Sequence, residues 1–404
     1  MKKLLSYSLI LFSLAFFSCN KEITNIEPSN NQSTCDTCET NEVLNILWES
    51  PLHPDTIGSV STEPLFINDK VIFTLWPEST EQEKIFAFDA NNGLVKWQRE
   101  SSDGKSGTIM SLFSFQNNIL YKNGQSLCLL NDSNGNENWC HHPSSEGKKA
   151  HALVKIIDDC YYREYHTESF ESNKSELVRG NLITGEIETI FTVNKADEYS
   201  PKLLPPTKWI NENDEEILFI QNSLYEWGTV NGNAQLFMYN LSSKEIEFTW
   251  ENLNGGALNG YGPYIWNDKL FVSGLDTIRC IDIHTKEILW KKWIGQYGTN
   301  YFIKKGILIL KPDDGRMMGL NPNTGETIWE TNESGHTPSG LSYFDGIVYF
   351  GTLGTGKLYA VNVKTGEHLW AEDPPNQKKG YPNASFLNGV AIDTVNRVLF
   401  TDDE

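Results

Sequence analysis

Eight histidines are this chain's residues best suited to moving protons or holding zinc, and His141, His142, His151 and His166 fall close together. Zinc ligation or general-base work needs two or three imidazoles to converge, with a carboxylate to orient them. No His-x-x-x-His pair places two of these rings on one strand face, so they read as scattered surface histidines within one unit of the chain. No metal ligand set and no catalytic residue is assigned. His336 begins an inner strand and is a separate candidate.

Glycine-rich stretches come next. Gly351-Thr-Leu-Gly-Thr-Gly356-Lys357-Leu358 approaches a phosphate-binding loop, but Leu358 stands where a hydroxyl would hold magnesium, and no helix N-terminus follows. Gly104-Lys-Ser106 lacks the first glycine. Asp132-Ser-Asn-Gly-Asn-Glu-Asn138 resembles a calcium loop with its glycine misplaced, and Asp313-Asp-Gly315 is turn chemistry.

The elements that would position any site are short strands in a repeat. From Lys357 to Trp370, Leu358, Ala360 and Asn362 alternate with Tyr359, Val361 and Val363, the period of a half-buried strand. Lys364-Thr365-Gly366 turns the chain, and Trp370 ends a second strand four residues after the glycine. The same spacing recurs as Asp89/Gly93/Trp97, Asn131/Gly135/Trp139 and Asn321/Gly325/Trp329. Asp282 and Trp290 keep the register around Lys286; Asn181 and Gly185 reach Thr189 instead of a tryptophan. Asn240 with Lys244 reaches Phe248, with Trp250 displaced by two. The turn positions 93, 135, 185, 244, 286, 325 and 366 are spaced by 42, 50, 59, 42, 39 and 41 residues. A period near forty filled with strands signals a propeller, because one four-stranded sheet cannot cover its own faces and must stack on neighbours. The expected adhesive is a tryptophan wedged between successive sheets: Trp97, Trp139, Trp290, Trp329 and Trp370.

The Ala-x-Asp-x-x-Thr-Gly-x-x-x-Trp pattern, carried best by Ala87-Phe-Asp89 and Ala360-Val-Asn362, resembles the tryptophan-docking repeat of PQQ-like (quinoprotein-like) β-propellers over residues 44–404. The resemblance implies an all-β ring. Within that family, quinone-dependent dehydrogenases carry adjacent cysteines against the cofactor and a calcium site of Glu, Asn and Asp. No two cysteines here are adjacent, so the expectation is a repeat without cofactor.

Hydrophobic runs Val71–Leu75, Ile119–Lys122, Ile156–Tyr161, Ile217–Ile220, Leu270–Val272, Ile307–Leu310 and Ile347–Phe350 read as second strands, giving seven units. Asn45–Trp48 reads as an outer strand, and 384–392 with 397–401 as two inner ones. Joining them closes an eighth blade from both chain ends, with its third strand unaccounted for; seven blades are the alternative.

Lys2 and Lys3 precede an apolar run from Leu4 to Phe17, and Ser18-Cys19 follows; the whole resembles a bacterial lipoprotein signal with Cys19 as the lipidated residue. Residues 1–18 are therefore read as leader, 19–43 as a polar tether and 44–404 as the ring. A formal charge of −20 excludes a nucleic-acid partner. Seven cysteines suit an oxidising compartment. Cys35 with Cys38, and Cys128 with Cys140 across one hairpin, are the candidate disulfides; Cys160 and Cys280 read as buried hydrophobes.

Insertions at 164–174 and 223–234 join second to third strands, so they share a face with the blade-to-blade crossings. His141, His142, His151, Trp227, Tyr261, Tyr301 and His336 are the candidate binding residues, with Trp209 and Tyr225 on the same face. The expectation is an exported, lipid-anchored, non-catalytic scaffold for an envelope protein partner, held on the outer membrane. In this it resembles the accessory lipoproteins of outer-membrane barrel assembly. The alternative is a propeller that binds or degrades polysaccharide through its aromatic platforms. A quinone-dependent oxidoreductase ranks last.

Overall fold

The computed structural model describes residues 8–13 and 45–403, apart from 52–57, 61, 78–82, 102–110, 124, 167–172, 196–199, 226–232, 254–261, 275, 296–300, 333–334, 336–338, 381–383 and 387. Its strands form eight sheets, all paired antiparallel. Seven are each continuous in sequence and are numbered blades 1 to 7: residues 58–100, 111–141, 149–194, 200–250, 264–293, 301–331 and 342–372. The remaining sheet joins both ends of the chain, in the order Asn45–Pro51, Ser8–Ser13, Val398–Asp403, Ala391–Asp393. This is the closed all-β propeller that the repeat spacing predicts.

The closing sheet's missing third strand is Ser8–Ser13, which lies inside the stretch read as leader. Sequence reasoning passed over it because an apolar run after two lysines satisfies the leader pattern and the strand pattern equally well. One second strand was also misplaced. Ile156–Tyr161 is not a strand but a hairpin bend, where Lys149–Ile157 turns through Asp158, at φ 53°, into Cys160–His166. Both insertions do connect second to third strands, between His166 and Lys174 and between Tyr225 and Asn233.

The core lies between blades. Eight hydrophobic clusters each draw residues from two neighbouring sheets, and together they run round the ring. Phe219 and Trp250 of blade 4, for example, pack with Leu270 and Ile281 of blade 5. Phe350 and Tyr359 of blade 7 pack with Ile309 and Trp329 of blade 6. The last gap is closed by Val71 and Phe88 of blade 1 against Val398 and Phe400, with Trp48 on its margin. Each sheet has two apolar faces and covers neither alone, so only closure hides them all.

The repeat's turn is the same in all seven blades. The side-chain oxygen of Asp89, Asn131, Asn181, Asn240, Asp282, Asn321 or Asn362 accepts the N–H two residues on. The residue four on takes positive φ at 93, 135, 185, 244, 286, 325 and 366. Two of those are lysines, Lys244 and Lys286, at 61° and 65°. The tryptophans then reach forward. Nε1 of Trp97 donates to the Asp132 carbonyl at 2.8 Å, Trp139 to Leu182, Trp290 to Pro322 and Trp329 to Val363. Trp48 does the same to Ala90 at 3.0 Å, which fixes the outer strand of the closing sheet. Trp250 docks on Lys286 at 2.8 Å despite its displacement by two, because two residues along a strand return to the same face. Trp370 packs against Tyr349 with ring centroids 6.0 Å apart.

Candidate functional site

The structure separates the histidines that the sequence grouped. His141 and His142 end blade 2 and the segment after it, whereas His151 and His166 belong to blade 3. Among the described residues His141, His142 and His166 do not gather into a ligand set. His141 Nε2 contacts the Gly185 carbonyl at 2.5 Å, and its ring lies 5.0 Å from Trp139 and 6.4 Å from Tyr161. Burial lowers its pKa, opposed by the Gly185 contact, so the neutral imidazole packs blade 2 onto blade 3. His142 Nδ1 lies 2.8 Å from the hydroxyl of fully buried Ser126 and lines a cavity of about 200 Å³ with Glu146 and Tyr165. His166 pairs with buried Glu164 at 3.1 Å.

Tyr301 is not a surface platform. It is 8% exposed, and its hydroxyl donates to the backbone carbonyls of Gly262 and Phe271 at 3.2 and 3.1 Å. It lies in the first strand of blade 6, and its ring packs into the cluster shared with Phe271 and Ile278 of blade 5. Trp209 also leaves the expected face, since its Nε1 donates to Asp268 in the first turn of blade 5, at the opposite end of the strands from the insertions. Trp227, Tyr261, His336, Cys19, Cys35 and Cys38 lie outside the described residues, and for Tyr225 and His151 only the backbone is described.

What the sequence reading missed is a buried polar ring. Counting from the residue that pairs with, or lies beside, the turn Asp or Asn, each second strand has an equivalent position four residues on. Those positions are Thr74, Lys122, Glu164, Gln221, Ser273, Lys311, Gly351 and, in the closing sheet, Asp402. All but the glycine are polar, and none of those seven is more than 2% exposed. The repeat offset was available in the sequence, but nothing in one repeat shows that a Lys or Glu at the end of an apolar strand is enclosed by the neighbouring blades. Lys122 stands near Arg163, which is itself fully buried, and near Glu83. Burial first, then Arg163, lowers the Lys122 ammonium to about 7. Lys311 donates to the Pro312 and Gly335 carbonyls and is lowered by burial to about 8. Glu164 accepts from Ser175 at 2.8 Å as well as pairing with His166.

A second cluster sits at the seam where the ring closes. Glu63 projects from the inner edge of blade 1 toward Gly340 of blade 7 and Gly389 of the closing sheet; a Cβ on Gly389 would lie 3.3 Å from its Cγ. Its side chain is open to water yet surrounded by protein, and that enclosure pushes the carboxyl up to about 7, against the Gly340 N–H. Asp402, 1% exposed, is also pushed up to about 7 by burial. Asn388 donates to its Oδ2 at 2.8 Å, and Oδ1 has no partner. Thr401 donates to Gly389 at 2.9 Å, tying both carboxyls to the same short segment.

The cysteines test the cofactor question. Cys128 and Cys140 are bonded to each other across one hairpin, Cys160 lies in blade 3 and Cys280 in blade 5. None of these described cysteines neighbours another in sequence. Glu137 lies close enough to Cys128 and Cys140 to be a third ligand only if that bond were open.

The family model described as "Outer membrane protein assembly factor BamB" matches residues 240–395. Among solved structures, BamB from Moraxella catarrhalis superposes with a TM-score of 0.50 at 12% identity, covering 89% of this chain and 88% of that one. The computationally designed Ika8 protein gives 0.58 at 13% identity, covering 86% and 97%. Two Pseudomonas putida proteins match locally. Quinoprotein ethanol dehydrogenase is 33% identical over 86 residues, and quinoprotein alcohol dehydrogenase PedH 27% over 108. These matches cover 21% and 22% of this chain but only 13% and 18% of those enzymes. The docked tryptophans, the Asx turns and these likenesses agree: the chain folds as a β-propeller similar in architecture to BamB, with residues 240–395 matching that family's model.

Proposed function

We propose that this protein is exported, held on the cell envelope by a lipidated Cys19, and acts as a non-catalytic scaffold for a protein partner, in the manner that its resemblance to BamB suggests. The observation that carries the reading is the match of residues 240–395 to that family's description. The rim supports it. Outer strands expose Val95, Ile187, Ile246, Ile288, Leu289, Trp293 and Ile328, at 39–62% of full exposure, scattered round the ring on sheet edges that are unpaired among the described residues. Unpaired edges with apolar side chains are surfaces that partner strands can extend.

The experiment is crosslinking in intact membranes followed by recovery of the protein, with Cys19→Ser as the unanchored control. A discrete protein partner recovered with the anchored form, and lost with Cys19→Ser, supports scaffold and anchor together. No partner above the control sinks the scaffold reading. Quinone oxidoreductase is a second reading, favoured by the local identity to the two dehydrogenases. Adding the quinone with calcium and following dye reduction tests it, and no turnover is expected.

A further inference from the structure

The seven outer strands are not equivalent. Those of blades 1, 2, 3, 4, 6 and 7 each carry at least one glutamate: Glu100, Glu137, Glu188, Glu245 with Glu247, Glu330 and Glu372. The outer strand of blade 5, Ile288–Trp293, carries none and has Lys291 and Lys292 instead. Lys96 and Arg99 of blade 1 are neutralised by Asp69, Asp89 and Glu137. Among the described residues Lys291 and Lys292 enter no ion pair, on a chain whose formal charge is −20. Lys291 also stands directly opposite Arg279 in the ladder, a like-charge pair that Asp276, acting on Arg279, offsets from one side and a partner's carboxylate would offset from the other.

The strand's end provides an anchor. Trp293 is 62% exposed, and its ring lies 5.6 Å from the guanidinium of Arg316. Arg316 is itself held, donating to Asp314 through Nε at 2.8 Å and to the Ile294 carbonyl at 3.1 Å. An exposed indole already braced on one side loses little freedom when a partner covers the other. Leu289, 45% exposed, sits at the bulge between Ile288 and Trp290 on the same edge. Among the described residues no further strand pairs beyond it, so its outward backbone groups form an open edge.

We infer that the outer edge of blade 5, Ile288–Trp293, is a docking site for an extended, acidic strand of a partner protein. The partner adds to the sheet edge, sets its carboxylates against Lys291 and Lys292, and covers Trp293 with an apolar residue. Glutamates on the outer strands of blades 4 and 6 repel the same partner from the neighbouring edges, so a single blade is addressed. The inference rests on the interaction reading above but not on the lipid anchor.

The test uses the purified ring and two labelled peptides, acetyl-Thr-Val-Glu-Glu-Thr-Val-Thr-amide, whose adjacent glutamates reach both faces of the added strand, and its counterpart with lysine for each glutamate. Fluorescence anisotropy measures binding at low salt, and amide exchange locates it. The expected result is binding of the acidic peptide alone, weakening with salt, with new protection confined to residues 288–293. Lys291→Glu with Lys292→Glu should weaken it about tenfold, and Trp293→Ala by a similar factor. Equal binding of both peptides, protection elsewhere, or no binding at all overturns the inference. If the lysines serve only to guard the edge against self-association, the double variant aggregates and no peptide binds. These outcomes leave the membrane crosslinking result untouched, so failure here and failure of the scaffold reading are distinguishable.

Discussion

Trp290 lies flat on Gly325 of the following blade: a Cβ placed on that glycine would stand 2.7 Å from Cε3, while Nε1 donates to the Pro322 carbonyl at 3.1 Å. The glycine is required twice, for its φ of 73° and for the space the indole fills. Gly325→Ala is therefore expected to destabilise by about 2–4 kcal/mol, combining a left-handed Cβ with overpacking. Lys286 occupies the same position at φ 65° in blade 5, so Lys286→Gly should gain up to about 0.5–1 kcal/mol. Urea unfolding of both variants checks the pair, and equal effects of the same sign would refute the account.

Trp329 is 8% exposed and donates to Val363 at 2.8 Å. Trp329→Ala should cost about 3–5 kcal/mol through the cavity between blades 6 and 7. Trp329→Phe should cost less, since it keeps much of the packing and loses the hydrogen bond, worth about 1 kcal/mol. Thermal melts rank the two; a Phe variant as unstable as Ala would mean the hydrogen bond dominates.

Glu63 and Asp402 have folded pKa values raised to about 7 from 4.5 and 3.8. The native state then binds protons that the unfolded chain has released, so their stabilisation is complete below about pH 4 and is lost as pH rises through 7. Lys122 and Lys311 are lowered to about 7 and 8 from 10.5, so they act oppositely, and stability returns as pH rises above that range. Melting curves across pH 4–9 should show Asp402→Asn flattening the fall toward pH 7. Glu63→Gln should do so less, because water reaches its carboxyl. Parallel profiles for wild type and both variants would remove the seam from the pH response.

The Cys128–Cys140 bond closes a separation of 12 residues within one hairpin. Replacing both by alanine should cost about 2–3 kcal/mol by the loop-entropy account. Reducing agent should lower the melting temperature of the wild type and leave the double variant unmoved.

Ser8–Ser13 stands between Asn45–Pro51 and Val398–Asp403. Removing residues 1–18, as the leader reading requires, takes that strand away. The polypeptide from Cys19 onward should keep Trp48 on Ala90 but exchange the amides of Val398–Asp403 faster than the precursor does. Equal exchange in the two forms would show that another segment occupies the place.

The sequence by itself determined the ring. Alternating strands, an Asp or Asn, a residue at positive φ four positions on, and a tryptophan four beyond that are local chemistry, and local chemistry repeated at a fixed period leaves one way to bury both faces of every sheet. It even placed Trp48 correctly, since an outer strand without sequence neighbours can be completed only from the other end of the chain. Only the tertiary structure decided where single side chains go. Period two says which face a residue shares, not which neighbour waits there, so His141 became packing against Gly185 and Tyr301 an inner-strand hydrogen bond. For the same reason Lys122, Glu164, Lys311 and Asp402, a ring of buried charge, looked in sequence like ordinary strand ends. What set them apart was enclosure by neighbouring blades, a property of the closed circle that no single repeat contains.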